Sequence, residues 1–190
     1  PSQEVLAELR RSREAEQAGR EGGVEQAAAT ITRDGRRIRL MANINLLGEL
    51  ETARSLKAEG VGLYRSEFPF LVRASFPSEE EQVAVYERLC KAMPDKPLTF
   101  RTLDIGGDKV LPYSHAPQEA NPELGLRSIR FSLKYPQTFR QQLRAILRAA
   151  VNTAELRLLF PLISSLDEFR EARQAVQTCL DQLRLQGVAH

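Results

Sequence analysis

From Ile38 onward, short apolar runs alternate with segments whose apolar residues recur every three or four positions. The runs Ile38 to Asn43, Val61 to Arg65, Leu98 to Arg101 and Leu156 to Ile163 read as strands. Between and after them come helical patterns. Leu46, Leu47, Leu50, Ala53 and Leu56 form the first, with Gly60 as its stop. Ser78 and Glu81 form a capping box ahead of Val83, Tyr86, Leu89, Cys90 and Met93. Pro136 opens a helix with Phe139, Leu143, Ile146 and Leu147 inward. Ser165 and Glu168 make a second capping box before Phe169, Ala172, Val176, Leu180 and Leu183. The order βαβαβαβα implies a parallel sheet with right-handed crossovers. A closed barrel needs about eight such units and about 250 residues. This chain of 190 residues supplies half that number of units, so it is a small open sheet or half of a barrel. A half barrel leaves two sheet edges that a partner must cover.

The segment ahead of this alternation differs in kind. Residues 3–29 are polar, with a thin stripe of Val5, Leu6 and Leu9 broken by Gly19, Gly22 and Gly23, and read as a helical connector. Thr30 to Ile38 carries Asp34-Gly35 between alternating residues, a hairpin signal. Two domains are therefore expected, a connector over 1–29 and an α/β body over 30–190. Hydrophobic residues at 42% suffice for a core. Arg33, Arg36, Arg37 and Arg39 form the densest basic patch, and a charged hairpin edge accounts for it. Nucleic-acid binding through that patch is the competing reading. A net charge of +2 and the lack of interleaved aromatic residues argue against it. No secretory leader or membrane span is evident, so a cytoplasmic protein is expected. Cys90 and Cys179 fall within helical patterns and are expected to be buried thiols.

Chemistry is concentrated at the strand ends. Arg65 and Arg101 each stand last on a strand, and in a parallel sheet those ends share one side. Two fork-shaped cations there suit a phosphate or carboxylate. Arg127, at the end of the long loop 104–126, can fold back over the same face. Lys109 adds charge from the Gly106-Gly107 loop, whose glycines allow backbone N–H groups near an oxyanion. Asp104 and Asp108 are expected to orient the arginines or cap turns rather than hold a metal. Arg65 has a plainer alternative, pairing with the nearby Glu67. His115 reads as a surface residue, and His190 is the last residue. No nucleophilic triad, zinc spacing or P-loop is present.

Four stretches occur in a recognisable order: Gly62-Leu-Tyr-Arg65-Ser-Glu67-Phe68, Phe76-Pro-Ser-Glu-Glu-Glu-Gln82, Arg101-Thr-Leu-Asp-Ile-Gly-Gly-Asp-Lys109 and Asn121-Pro-Glu-Leu-Gly-Leu-Arg127-Ser-Ile-Arg130. Together they resemble the phosphoenolpyruvate (PEP)-binding barrel of the PEP-utilising enzymes, and within it the PEP-protein phosphotransferases of the sugar and nitrogen phosphotransferase systems. The resemblance implies a partial (β/α)8 TIM barrel, its N-terminal half, of about four βα units after a connector and hairpin. It implies that Arg65 and Arg101 hold the PEP phosphate, with Arg127 and Lys109 as further active-site groups. In that family PEP phosphorylates a histidine on a separate domain with Mg2+ present, and the phosphoryl group passes to a small histidine-containing carrier protein. The family's magnesium ligands, carboxylate-binding arginine and proton-donating cysteine belong to later strands, so they are expected beyond residue 190. The chain alone is then expected to be inactive, with no catalytic residue of its own. A homodimer is also implied. The alternative is a non-catalytic module that senses a phosphometabolite or contacts a protein.

Overall fold

A computed structural model describes residues 29–73, 75–106, 121 and 124–190. The connector, apart from Ala29, lies outside the described residues, as do Lys109, Asp108 and His115. The chain divides into two compact units, Pro1–Arg39 and Leu40–His190.

In the first unit, β1 (Thr30–Ile31) and β2 (Arg37–Ile38) pair antiparallel, with Thr30 opposite Ile38. The Asp34-Gly35 turn is where the residue pattern put it. Arg36 pairs with Asp34 at 3.3 Å on an exposed surface, the ordinary chemistry of a solvated edge.

The second unit is built on a parallel sheet of β3 (Ala42–Ile44), β4 (Val61–Arg65), β5 (Pro97–Arg101) and β6 (Glu155–Leu159), in that spatial order. Helices α1 (Glu49–Ser55), α2 (Phe68–Leu71), α3 (Glu79–Ala92), α4 (Ser128–Lys134), α5 (Pro136–Ala149) and α6 (Leu166–Leu185) lie between and after the strands. Strands in sequence order with right-handed crossovers send every crossover helix to the same face. This is barrel-type winding, in contrast to the reversed order of a doubly wound sheet. The α/β class and the partial-barrel reading stand.

The helix-covered face carries the core. Ile44, Val61, Tyr64, Leu98 and Phe100 meet Val83, Tyr86, Leu89 and Met93 of the α3 segment and Ala145, Ile146 and Ala149 of α5. Tyr64, Tyr86 and Phe100 stack edge to face, with ring centroids 5.4 to 6.1 Å apart. A second cluster joins Ile129, Phe139, Leu143 and Leu147 to Ala172, Cys179 and Leu183. Both cysteines are free and buried, as expected. The helices are also tied by charge. Arg148 on α5 reaches Glu79 and Glu80 at 2.7 Å, and Arg144 reaches Glu79 at 2.8 Å. These carboxylates occupy the first turn of α3, where the helix dipole also favours them.

Several boundaries moved. Ile38 belongs to the hairpin, and the sheet strand begins only at Ala42. The fourth sheet strand ends at Leu159, ahead of Pro161, with Leu162 at φ 58°. Gly60 stops no helix, since α1 ends at Ser55. A Cβ at Gly60 would lie 2.5 Å from the Pro97 carbonyl oxygen, so the glycine allows two chain segments to touch. The short helices α2 and α4 have too few turns to produce a readable period.

Candidate functional site

β4 and β5 end together. Arg65 and Arg101 are direct register partners, so their side chains leave the same face of adjacent strands about 4.8 Å apart. That face is the one opposite Tyr64 and Phe100 and the helices that cover them. Arg65 is exposed and forms no ion pair among the described residues.

Arg101 is held from two sides. Its guanidinium pairs with Glu67, whose side chain is 5% exposed, and its Nη1 lies 3.3 Å from Asp104. The simple alternative for Arg65 is therefore corrected: Glu67 turns to Arg101, because the chain bends into α2 directly after β4. Asp104 also receives Arg127 at 3.4 Å and accepts a hydrogen bond from the Ser128 hydroxyl. One carboxylate thus draws Arg101 and Arg127 together, the orienting role expected of it. Among the described residues, Glu67 and Asp104 are the carboxylates paired with Arg101 and Arg127, with Arg65 at the adjoining strand end. The Nε of Arg101 is buried and makes no hydrogen bond among the described residues. A buried unpaired donor is costly unless a ligand supplies its acceptor.

Gly106 decides where Arg127 can sit. It has φ +113°, and a Cβ there would meet the Arg127 Cα and the Leu126 carbonyl oxygen at 2.8 Å. Only a residue without a side chain lets the loop pass this close. The Ser128 N–H donates to the Ile105 carbonyl at 3.0 Å, fixing the crossing, and Ser128 itself takes φ 51°. Non-glycine residues in that region are strained and tend to cluster at functional sites.

Beneath the rim lies a buried polar network that the residue pattern did not reveal. The Ser66 hydroxyl donates to the Arg101 carbonyl at 2.8 Å and accepts from Gln142 Nε2 at 2.9 Å. Gln142 Oε1 accepts from the Leu103 N–H at 2.9 Å. The available signal was a polar residue inside the apolar stripe of α5, beside Phe139, Leu143 and Ile146. Nearby, burial followed by the Glu67 charge pushes the Tyr64 hydroxyl up to about 12, so it stays protonated.

Among the described residues no three His, Cys, Asp or Glu side chains converge, and Glu67 and Asp104 are engaged by arginines. No described helix is long and apolar enough to cross a membrane.

A parallel sheet with arginines at its carboxyl ends is the form in which α/β barrels present anion sites. The family described as "PEP-utilising enzyme, PEP-binding domain" matches residues 19–190, and the chain belongs to it. Among its relatives, the phosphoenolpyruvate-protein phosphotransferase of Geobacillus stearothermophilus is 44% identical over 192 aligned positions, covering 100% of this chain and 33% of that protein. The protein of the same name from Staphylococcus carnosus is 42% identical over 188 positions, covering 98% of this chain and 33% of the relative. The "phosphoenolpyruvate-dependent phosphotransferase system" protein of Escherichia coli K12 is 47% identical over 145 positions, covering 76% of this chain and 19% of the relative. The chain thus spans a third or less of the length of these relatives.

Proposed function

We propose that this chain is the phosphate-binding part of a PEP-protein phosphotransferase. Arg65, Arg101 and Arg127 grip the phosphoryl oxygens of PEP, and Lys109 adds a further cation. The observation that carries this is the register pairing of Arg65 with Arg101 beside the Asp104 bridge to Arg127. Phosphoryl transfer asks a protein mainly for positioning and charge neutralisation, which fixed guanidinium forks supply. The unpaired Arg101 Nε favours the same reading, since a phosphoryl oxygen would complete its hydrogen bonding.

In the longer protein the phosphoryl group of PEP moves to a histidine and then to a small histidine-containing carrier protein. Mg2+, when bound, neutralises charge on the phosphate. Its ligands are not among the described residues and belong to other parts of the protein, as do the proton donor and the carboxylate-binding arginine. The 190 residues alone bind PEP without turning it over. A cytoplasmic location and a role in sugar transport or its nitrogen-linked counterpart belong to the same reading.

Calorimetric titration of the chain with PEP tests it. Saturable binding should appear, and Arg101→Ala or Arg65→Ala should each weaken it by about tenfold or more, the worth of one hydrogen bond to a charged group. Binding that is unchanged by both substitutions, or no binding by the unsubstituted chain, would overturn the reading. Phosphoryl transfer from PEP to a carrier histidine by this chain alone would refute its incompleteness.

A further inference from the structure

Gln142 lies on α5, away from the rim, yet its hydrogen bonds to the ends of β4 and β5 both go to residues that follow the two strand-end arginines. It is 1% exposed. Its Nε2 donates at 2.9 Å to Ser66, the residue after Arg65. Its Oε1 accepts at 2.9 Å from the N–H of Leu103, two residues after Arg101. Ser66 closes the circuit by donating at 2.8 Å to the carbonyl of Arg101 itself. The second Nε2 hydrogen points to the Tyr86 hydroxyl at 3.4 Å, which donates onward to Gln82 at 3.2 Å.

We infer that Gln142 is a positioning residue for the phosphate site, setting the ends of β4 and β5 against each other so that Arg65 and Arg101 converge. The inference rests on the phosphate reading given above. Its physical content lies in the direction of the bonds. The amide oxygen must face the Leu103 N–H, because that donor has no other acceptor among the described residues, so the amide cannot flip. The NH2 group must then face Ser66, which frees the serine hydroxyl to donate to Arg101. A sliding of one strand end past the other breaks a buried hydrogen bond in this circuit. A carboxylate at 142 could accept from Leu103 but could not donate to Ser66. An aliphatic side chain would complete the apolar stripe of α5 and lose both Gln142 bonds, leaving only the Ser66 bond to the Arg101 carbonyl. Small errors in the placement of charged groups are heavily penalised in such sites.

The test uses the full chain with PEP as the probe. Gln142→Met and Ser66→Ala break the circuit from opposite ends. Leu143→Ala, in the neighbouring core of the same helix, destabilises α5 without touching it. PEP affinity is read by calorimetry, unfolding by urea, and exchange of the Leu103 and Leu98 amides by NMR. Gln142→Met and Ser66→Ala should each weaken PEP binding by about tenfold, equivalent to ~1.4 kcal/mol. Gln142→Met should speed exchange at Leu103 while Leu98 stays protected. Leu143→Ala should lower the unfolding midpoint and bind PEP as the unsubstituted chain does. If Gln142→Met does not fold, Ser66→Ala decides. Unchanged affinity in the folded circuit variants overturns the inference, and so does an equal loss in Leu143→Ala, which would mark the effect as general destabilisation. If the unsubstituted chain fails to bind PEP, the phosphate reading falls first and this inference with it.

Discussion

At Gly106 one missing methyl group decides whether two arginines share a carboxylate. A Cβ there would press on the backbone of Leu126 and Arg127, and φ +113° adds strain for any L side chain. Gly106→Ala is expected to cost of order 1–3 kcal/mol in urea unfolding and to weaken PEP binding by displacing Arg127. Wild-type stability and affinity in that variant would mean that the crossing adapts easily. Cys179 supplies a second residue-scale expectation. Burial pushes its thiol up to about 11, well above an unfolded cysteine near ~8.5. The folded state holds that proton longer than the unfolded state. Stability is therefore undiminished below pH ~8.5 and falls as pH rises toward 11, by ~1.4 kcal/mol per pH unit for one proton. Cys179→Ala should flatten that alkaline decline in urea midpoints. An unaltered slope would remove the thiol from the account.

The helices are governed by their first turns. α3 and α6 each open on a serine whose hydroxyl accepts from the third residue of the helix, while that residue's glutamate reaches back. Both boxes were legible because a capping box is a local pattern. At α6 the Glu168 carboxylate accepts from the Ser164 N–H at 2.7 Å, the Ser164 hydroxyl at 2.9 Å and the Ser165 N–H at 3.0 Å. The Ser164 backbone bond, foremost, holds its pKa below the usual carboxylate range. The stability it brings is present above pH ~4.3 and is lost as pH falls through the lowered folded value. Glu168→Gln should therefore be less sensitive to acid than the unsubstituted chain in melts between pH 3 and 6. Ser165→Ala should cost ~1 kcal/mol at neutral pH. Equal acid sensitivity in both proteins would assign the loss to other carboxylates. The short α2 and α4 were not legible in this way, since contacts of Phe70 and Ile129 with distant residues hold them in place.

Across the whole α/β unit, the sheet stops at β3 on one side and β6 on the other among the described residues. A groove of about 780 Å³ runs between β6 and α6, lined by Leu156, Leu158, Phe160, Phe169 and Val176 together with Arg170, Arg173, Gln174 and Gln177. Leu159, Leu162 and Leu166 are also exposed around this end of the sheet. Uncapped parallel edges beside apolar surface favour association, and self-association of this chain into dimers is the expected outcome. Sedimentation velocity should show the sedimentation coefficient rising with concentration. A monomer that persists at high concentration would sink this expectation.

The alternation of runs and periods by itself determined the α/β class and the parallel sheet, because hydrophobic spacing and crossover handedness are local rules, while the one-sided winding followed only from the strand order of the folded sheet. It also placed Arg65 and Arg101 at strand ends, since each is the last residue of its apolar run. Tertiary structure alone decided the partners. Glu67 lies two residues from Arg65 in sequence yet pairs with Arg101, and Gln142 spans to Ser66 across 76 positions of chain. Such contacts depend on strand register and helix docking, which bring together groups whose separation along the chain carries no signal of their nearness.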